Sequence, residues 1–237
     1  MRLNRCLAIV CGAALVAAVP AVPAYAGTLQ VNPVLVEINA GRRSATVTIR
    51  NQEATPVTIR AYALGWRQVD GEDLYEDSSA VIVSPPIFTI PAGGTQLIRV
   101  GLRSPSGAAQ AYRLMIEEVP EANPSGGVRV ALRLNLPLYS GVEAGDSASL
   151  RWTARHEGDG GLTLEAVNGG SGYVRLDPAM AGAATGLGFA DNMHFGTVLP
   201  GATRRWRIGS VPQVRDRARF RQITGAGGHV AAQTGSD

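Results

Sequence analysis

The sequence predicts an all-β protein made of two sandwich domains, and three observations carry that prediction. Beyond residue 28, apolar residues alternate with polar ones at period two. Turn-forming clusters of Gly, Pro, Asn and Asp interrupt this alternation about every 8 to 12 positions, and no window shows helical periodicity of comparable strength.

The first segment is not part of that fold. Arg2 and Arg5 precede an apolar run from Leu7 to Val19, prolines follow at Pro20 and Pro23, and Ala24-Tyr25-Ala26 supplies a small-x-small site. This is the pattern of a secretory signal peptide over residues 1–26, with Gly27 as the mature N-terminus. The run of about 13 residues is short of the ~20 that a spanning helix needs, and no later run is longer, so no membrane insertion is expected. Cys6 and Cys11 both lie in this leader, and Cys11 stands at the start of the apolar run rather than after it, where a lipidated cysteine would be. The mature chain then has no disulfide and is held together by core burial alone. Its length suits two domains of about 100 residues each or one larger one. The net charge of +3 comes without any lysine, a mild basic excess that does not resemble a nucleic-acid footprint.

The strands follow in order. Leu29 and Val31, then Val36 and Ile38, precede the turn Asn39-Ala40-Gly41; Ala45, Val47 and Ile49 precede Asn51-Gln52-Glu53; Val57, Ile59 and Ala61 lead toward Trp66. Asp70-Gly71 is a tight turn, and Pro85-Pro86 and Pro91-Ala92-Gly93-Gly94 are breaks. Further strands carry Ile98, Val100 and Leu102, then Tyr112, Leu114 and Ile116, then Val128, Val130, Leu132, Leu134 and Leu136. About seven strands in this stretch is the count of an immunoglobulin-like sandwich.

Residues 140–148 are small and polar and read as a linker, which divides the chain into domains at 27–142 and 143–237. In the second domain, strands carry Leu150 and Trp152, then Leu162, Leu164 and Ala166, with Gly158-Asp159-Gly160-Gly161 as the hairpin turn between them. Tyr173, Val174 and Leu176, then Val198, then Trp206 and Ile208, then Phe220 and Ile223 supply the rest. The Ala- and Gly-rich stretch Ala179–Gly188 reads as loop, and Ala231–Asp237 as a disordered tail.

Three stretches of the first domain carry a resemblance. Ala63-Leu64-Gly65-Trp66-Arg67-Gln68-Val69-Asp70-Gly71-Glu72-Asp73 is followed by Val83-Ser84-Pro85-Pro86-Ile87-Phe88-Thr89-Ile90-Pro91-Ala92-Gly93-Gly94-Thr95, and then by Tyr112-Arg113-Leu114-Met115-Ile116-Glu117-Glu118-Val119-Pro120. This resembles the fimbrial chaperone family typified by PapD, over nearly all of residues 28–140, and most of all its archaic branch that works on spore-coat-U-type subunits. In the second domain the resemblance is carried by Val167-Asn168-Gly169-Gly170 and Val198-Leu199-Pro200-Gly201. It implies two immunoglobulin-like sandwiches, a periplasmic location, pilus subunits and an outer-membrane usher as partners, no cofactor and no enzymatic activity. The mode of action it implies is donor-strand complementation: the chaperone lends its G strand to a subunit that lacks its last strand, covering the apolar groove and unpaired amides that would otherwise drive aggregation.

On that strand Val128, Val130, Leu132 and Leu134 fall on one face, with Arg129, Ala131, Arg133 and Asn135 on the other. Burying four such knobs is worth on the order of 6 to 12 kcal/mol before ordering costs. The same four residues also fit the core of this chain's own sandwich, and pattern alone does not separate the two roles. In PapD-like members the subunit's terminal carboxylate is held by an Arg on the first strand and a Lys on the G strand; here those positions are Pro33 and Asn135. Arg113 and Arg133 are the nearest candidates for the anchor, because guanidinium forks match carboxylates; a solvated strand-face role suits both equally. Tyr139 stands where the family has an Arg of its interdomain charge cluster.

Other features point to no chemistry. Arg215, Arg217, Arg219 and Arg221 alternate as on an exposed strand face. Asp70, Glu72 and Asp73 fit a charged hairpin better than a calcium loop. His156, His194 and His229 are scattered and give no metal signature. A one-domain pilus subunit or adhesin is the main alternative. It would show an incomplete strand set after an alternating N-terminal extension. A carbohydrate-binding module would need more than 5% aromatic residues. An exposed apolar strand in the free chain can also be masked by self-association.

Overall fold

The computed structural model describes residues 29–39, 41–104, 107–120, 130–141, 149–156, 161–185, 189, 193–208, 222–224 and 229–231. The leader, Val128, the hairpin turn Gly158-Asp159-Gly160, the division between Val142 and Glu143, the arginines at 215–221, Phe220 and the tail beyond Ala231 lie outside the described residues.

The protein is all-β, in two immunoglobulin-like sandwiches. The first contains β1 (Leu29–Asn32), β2 (Val36–Ile38), β3 (Ser44–Asn51), β4 (Val57–Val69), β5 (Glu72–Asp77), β6 (Val81–Ser84), β7 (Ile87–Ile90), β8 (Thr95–Leu102), β9 (Gln110–Glu118) and β10 (Arg133–Ser140). The second contains β11 (Ser149–His156), β12 (Leu162–Asn168), β13 (Val174–Leu176), helix α1 (Pro178–Thr185), β14 (Gly196–Val198), β15 (Thr203–Ile208), β16 (Gln222–Thr224) and β17 (His229–Ala231). The first sandwich thus has more strands than the seven expected, and the difference lies in the short segments β5, β6 and β7.

One sheet runs β1-β3-β8-β6; the facing sheet runs β2-β10-β9-β4-β5, with β7 also on β4. Their inner faces meet in one core that includes Val36, Ile38, Val47, Ile49, Ile59, Ile98, Leu114, Ile116 and Leu138. The alternation read in the sequence sets this register: along β3 and β9, every second side chain points inward. Pro33 and the two residues after it interrupt pairing between β1 and β2, so the first strand leaves one sheet and enters the other. The hairpin between β4 and β5 turns on Asp70 (φ 54°) and Gly71 (φ 89°), the paired positive φ angles of a type I′ turn.

The second sandwich repeats a corner of the first. Asn51 ends β3 and Asn168 ends β12, and both are fully buried. The Asn51 amide donates to the carbonyls of Thr55 (2.7 Å) and Pro91 (3.1 Å) and accepts from Glu53 N (2.9 Å). The Asn168 amide donates to Gly172 (2.8 Å) and Val198 (3.2 Å) and accepts from Gly170 N (3.0 Å). The backbone N–H of Asn51 donates to Gly94 O and that of Asn168 to Ala202 O, tying each strand end to a turn that Gly94 N closes on Pro91 O and Ala202 N on Leu199 O. A buried amide hydrogen-bonded through both its nitrogen and its oxygen fixes each corner.

The expectation of loop over Ala179–Gly188 is corrected by α1. Asp177 caps it, its carboxylate accepting Met180 N at 2.7 Å, and Pro178 occupies the first helical position, where a missing N–H costs nothing. Ala181 and Thr185 are buried, Ala181 within the second core beside Leu150, Trp152, Leu164, Phe195 and Trp206. A helix of Ala, Gly and Met has no amphipathic stripe, so periodicity missed it; the Asp-Pro start was the readable signal.

Candidate functional site

β10 is covered unevenly. On one side it pairs antiparallel with β9 from Arg133↔Glu117 to Ser140↔Gln110. On the other it pairs with β2, in parallel, only over Leu138↔Val36, Tyr139↔Glu37 and Ser140↔Ile38. Among the described residues no strand lies beside the outer edge of β10 from Arg133 to Pro137, so a row of backbone groups faces outward there.

The apolar row of this strand runs out of the core as it approaches its start. Leu138 is fully buried and Leu136 nearly so, Leu134 is half-buried against the core, and Leu132 is half-buried beyond the strand end. Val130 is 80% exposed, and Val34, in the crossing between β1 and β2, is 66% exposed. The sequence reading starts this strand at Val128; the ladder begins at Arg133. The reason is on β9: Glu118 N donates to Leu132 O (2.9 Å), but Val119 N turns to Thr58 O instead and Pro120 has no N–H to give.

On the outer face, Glu117 binds the start of β10. Its carboxylate, only 9% exposed, takes Arg133 Nε at 2.6 Å, Arg60 Nη2 at 2.6 Å and the Tyr62 hydroxyl at 2.7 Å. Arg60 and Arg133 are the cross-strand partners of Glu117 on β4 and β10. Burial alone would raise the Glu117 carboxyl; the hydrogen bonds from Arg60 and Tyr62 and the charge of Arg133 outweigh it and hold the group below the ordinary carboxylate range.

At its other end the face becomes aromatic. Tyr139 stacks on Tyr173 of the second domain (centroids 3.6 Å apart, 13° between planes) and lies 5.9 Å from Trp66. These rings and Leu199 form a small core between the domains. Gln68 spans the same seam, donating to Thr197 O (2.7 Å) and accepting from Leu199 N (2.9 Å). The Tyr173 hydroxyl donates to Glu37, and burial together with that hydrogen bond pushes the phenol well above its ordinary pKa. The tip of the β4–β5 hairpin completes the contact: Gly71 O accepts Arg205 N (3.2 Å), and Asp73 pairs with Arg204 (3.2 Å). Beside this seam is a cleft of about 310 Å³ lined by Trp66, Tyr139, Tyr173 and Pro200 among others.

The sequence candidates are therefore distributed rather than gathered. Leu134 packs on the core, Leu132 is half-covered, Val130 faces solvent and Val128 is outside the described residues. Arg133 is committed to Glu117. Arg113, opposite Pro137, lays its guanidinium over Trp66 at 3.8 Å and near Tyr75 at 5.7 Å, with its buried Nε lacking a hydrogen-bond partner. Arg113 of β9 stands opposite Pro137, four positions and about 13 Å along the ladder from Arg133, and with one guanidinium bound to Glu117 and the other laid on Trp66 the two arginines do not form one fork. Pro33 follows β1, Asn135 is exposed on β10, and Tyr139 is the centre of the seam. Sequence reasoning missed Glu117, Arg60, Tyr62, Gln68 and Tyr173, because their partners are set by register between strands and carry no local spacing. Among the described residues no group of three or more His, Cys, Asp or Glu side chains is arranged to hold a metal ion.

Residues 28–140 match the family model described as pili and flagellar-assembly chaperone, PapD N-terminal domain. Comparison with curated proteins finds no match. Among solved structures, the chain is similar to one from the CsuC–CsuE chaperone–tip adhesion subunit pre-assembly complex of the archaic chaperone–usher Csu pili of Acinetobacter baumannii, with 22% identity, 76% of this chain and 89% of that chain covered, and a TM-score of 0.60. It is also similar to a chain from the complex of the Salmonella enterica SafA pilin with the SafB chaperone (18% identity, 90% and 98% covered, TM-score 0.58) and to the E. coli chaperone DraB (16% identity, 86% and 95% covered, TM-score 0.54). The match to PapD-like pilus chaperones is thus carried by the first domain, residues 28–140.

Proposed function

We propose that this PapD-like chain works in the periplasm as a chaperone of the archaic type, which captures pilus subunits by donor-strand complementation and delivers them to an outer-membrane usher, acting by binding and without catalysis. The observation that carries this reading is the open edge of β10 from Arg133 to Pro137, continued by an apolar row that emerges into solvent at Val130. Backbone groups of such an edge pair with a guest strand, and alternate side chains fill the guest's pockets. Val128, Val130 and Leu132 are the knobs that enter the guest, while Leu134 joins the two cores. Arg113 is the better candidate for the subunit's terminal carboxylate, since Arg133 already has a buried carboxylate partner.

The experiment is co-expression of the tagged chain in a periplasm with a spore-coat-U-type pilin. The wild-type chain protects the pilin from degradation and co-purifies with it; Leu132→Asp loses both and keeps its fold by circular dichroism. Pilin levels that ignore the presence of the wild-type chain would sink the reading. Loss of folding in Leu132→Asp would place that side chain in this protein's own core. In the same assay Arg113→Glu weakens the complex if Arg113 anchors the carboxylate, and undiminished complex removes it from that role.

A further inference from the structure

We infer that Glu117 is a positioning residue for subunit capture: by tying the first residue of β10 to two neighbouring strands, it keeps the open edge ordered while no guest is present. This rests on the proposed function for what the edge is used for, but its structural part stands separately.

Between Arg133 and Pro137, β10 has a strand on one side only among the described residues, so half of the usual ladder is missing there. Strand ends with one neighbour are where local opening is cheapest. At that point the chain concentrates its charge-assisted bonds. The Glu117 carboxylate joins Arg133 of β10 to Arg60 and Tyr62 of β4 through bonds of 2.6–2.7 Å, in a setting of little exposure where such bonds are strong. One residue earlier, Leu132 is held twice by Glu118: its O accepts Glu118 N at 2.9 Å, and its N donates to the Glu118 carboxylate at 3.3 Å. The ladder stops just beyond, at Pro120, and the residues assigned to the guest begin there. The arrangement fixes the origin of the donor strand without contributing a side chain to the apolar row, since Arg133 and Glu117 lie on the outer face and Leu134 on the inner one. A guest strand then meets an edge already in register, so less ordering is needed on binding.

The test compares the full chain with Glu117→Gln and Arg133→Gln, and uses Arg133→Lys as the conservative variant. Amide hydrogen exchange of the free protein is followed at residues 133–136 and, as an internal reference, in β3 and β8. The expected result is at least tenfold faster exchange at 133–136 in both Gln variants, unchanged exchange in β3 and β8, and near wild-type behaviour in Arg133→Lys. A second arm measures the rate of complex formation with a spore-coat-U-type pilin lacking its N-terminal extension, expected to fall several-fold in the same variants that exchange faster. Unchanged exchange at 133–136 overturns the inference, as does faster exchange spread evenly over the whole first domain, which would mean that Glu117 merely holds the fold. Faster local exchange with undiminished capture also overturns it. A wild-type chain that fails to capture the pilin, with the local exchange effect intact, would instead refute the proposed function and leave the ordering of β10 by Glu117 standing.

Discussion

The two ends of β10 are built from similar residues and are used in opposite ways. At Leu138–Ser140 the strand is sealed, with β9 on one side, β2 on the other, a fully buried leucine beneath and Tyr139 locked between Trp66 and Tyr173 above. At Arg133–Pro137 it has one neighbour among the described residues, and its apolar row thins toward solvent. Stability is thus invested at one end and availability at the other, and a substitution should act on folding or on binding according to where along eight residues it falls.

The largest effect tests that division directly. Leu138→Ala, in the sealed half, is expected to cost about 2–5 kcal/mol in urea unfolding, whereas Val130→Asp changes stability by less than about 0.5 kcal/mol and abolishes co-purification of a pilin. Comparable unfolding by both would erase the distinction. Next, Tyr139→Ala removes a stacked ring and its contact with Thr197 and is expected to cost about 3 kcal/mol. Small-angle scattering should show the two domains no longer holding one relative orientation.

A smaller loss is expected at the far side of the same seam. Gly71 needs its positive φ, and a Cβ there would meet Arg205 Cγ at 2.8 Å. Gly71→Ala should therefore lower stability by about 1–2 kcal/mol and detach the hairpin from β15. The smallest effect concerns acid. The Glu117 carboxyl is depressed in the folded protein, so its contribution is complete above the ordinary Glu pKa of about 4.3 and is lost as pH falls through the lower folded value. Stability measured from neutral pH to about 3 should fall less steeply on the acid side in Glu117→Gln; identical profiles would show that the carboxylate is not better stabilised in the folded state.

These differences also explain what was legible in the chain. Alternation in Val47-Thr48-Ile49 or Leu134-Asn135-Leu136 is a local record of which side faces the core, and Asp70-Gly71 and Pro85-Pro86 are local records of turns. The sheets could therefore be read from alternation, whereas α1, a helix rich in alanine, has no stripe to show and was marked only by its Asp-Pro start. The residues proposed to enter a guest were visible as a pattern, but the same pattern serves a core strand; the edge left uncovered beyond β2 among the described residues distinguishes the halves. The bonds of Glu117 to Arg60 and of Gln68 to Thr197 join residues 57 and 129 positions apart, and such pairings are decided by register, which no short window contains. Tyr139 in place of one arginine of the resembled family was readable as a loss; that a ring from the second domain would stack on it was not.

The short parallel pairing of β2 with β10 has one more consequence. Val36 already occupies the place beside Leu138, so a visiting backbone laid along the free stretch meets a fixed bookend at Pro137. From there back to Arg133 is four strand rises, about 13 Å, so under the proposed function a guest strand would have that length of ladder to pair with before Val36 stops it.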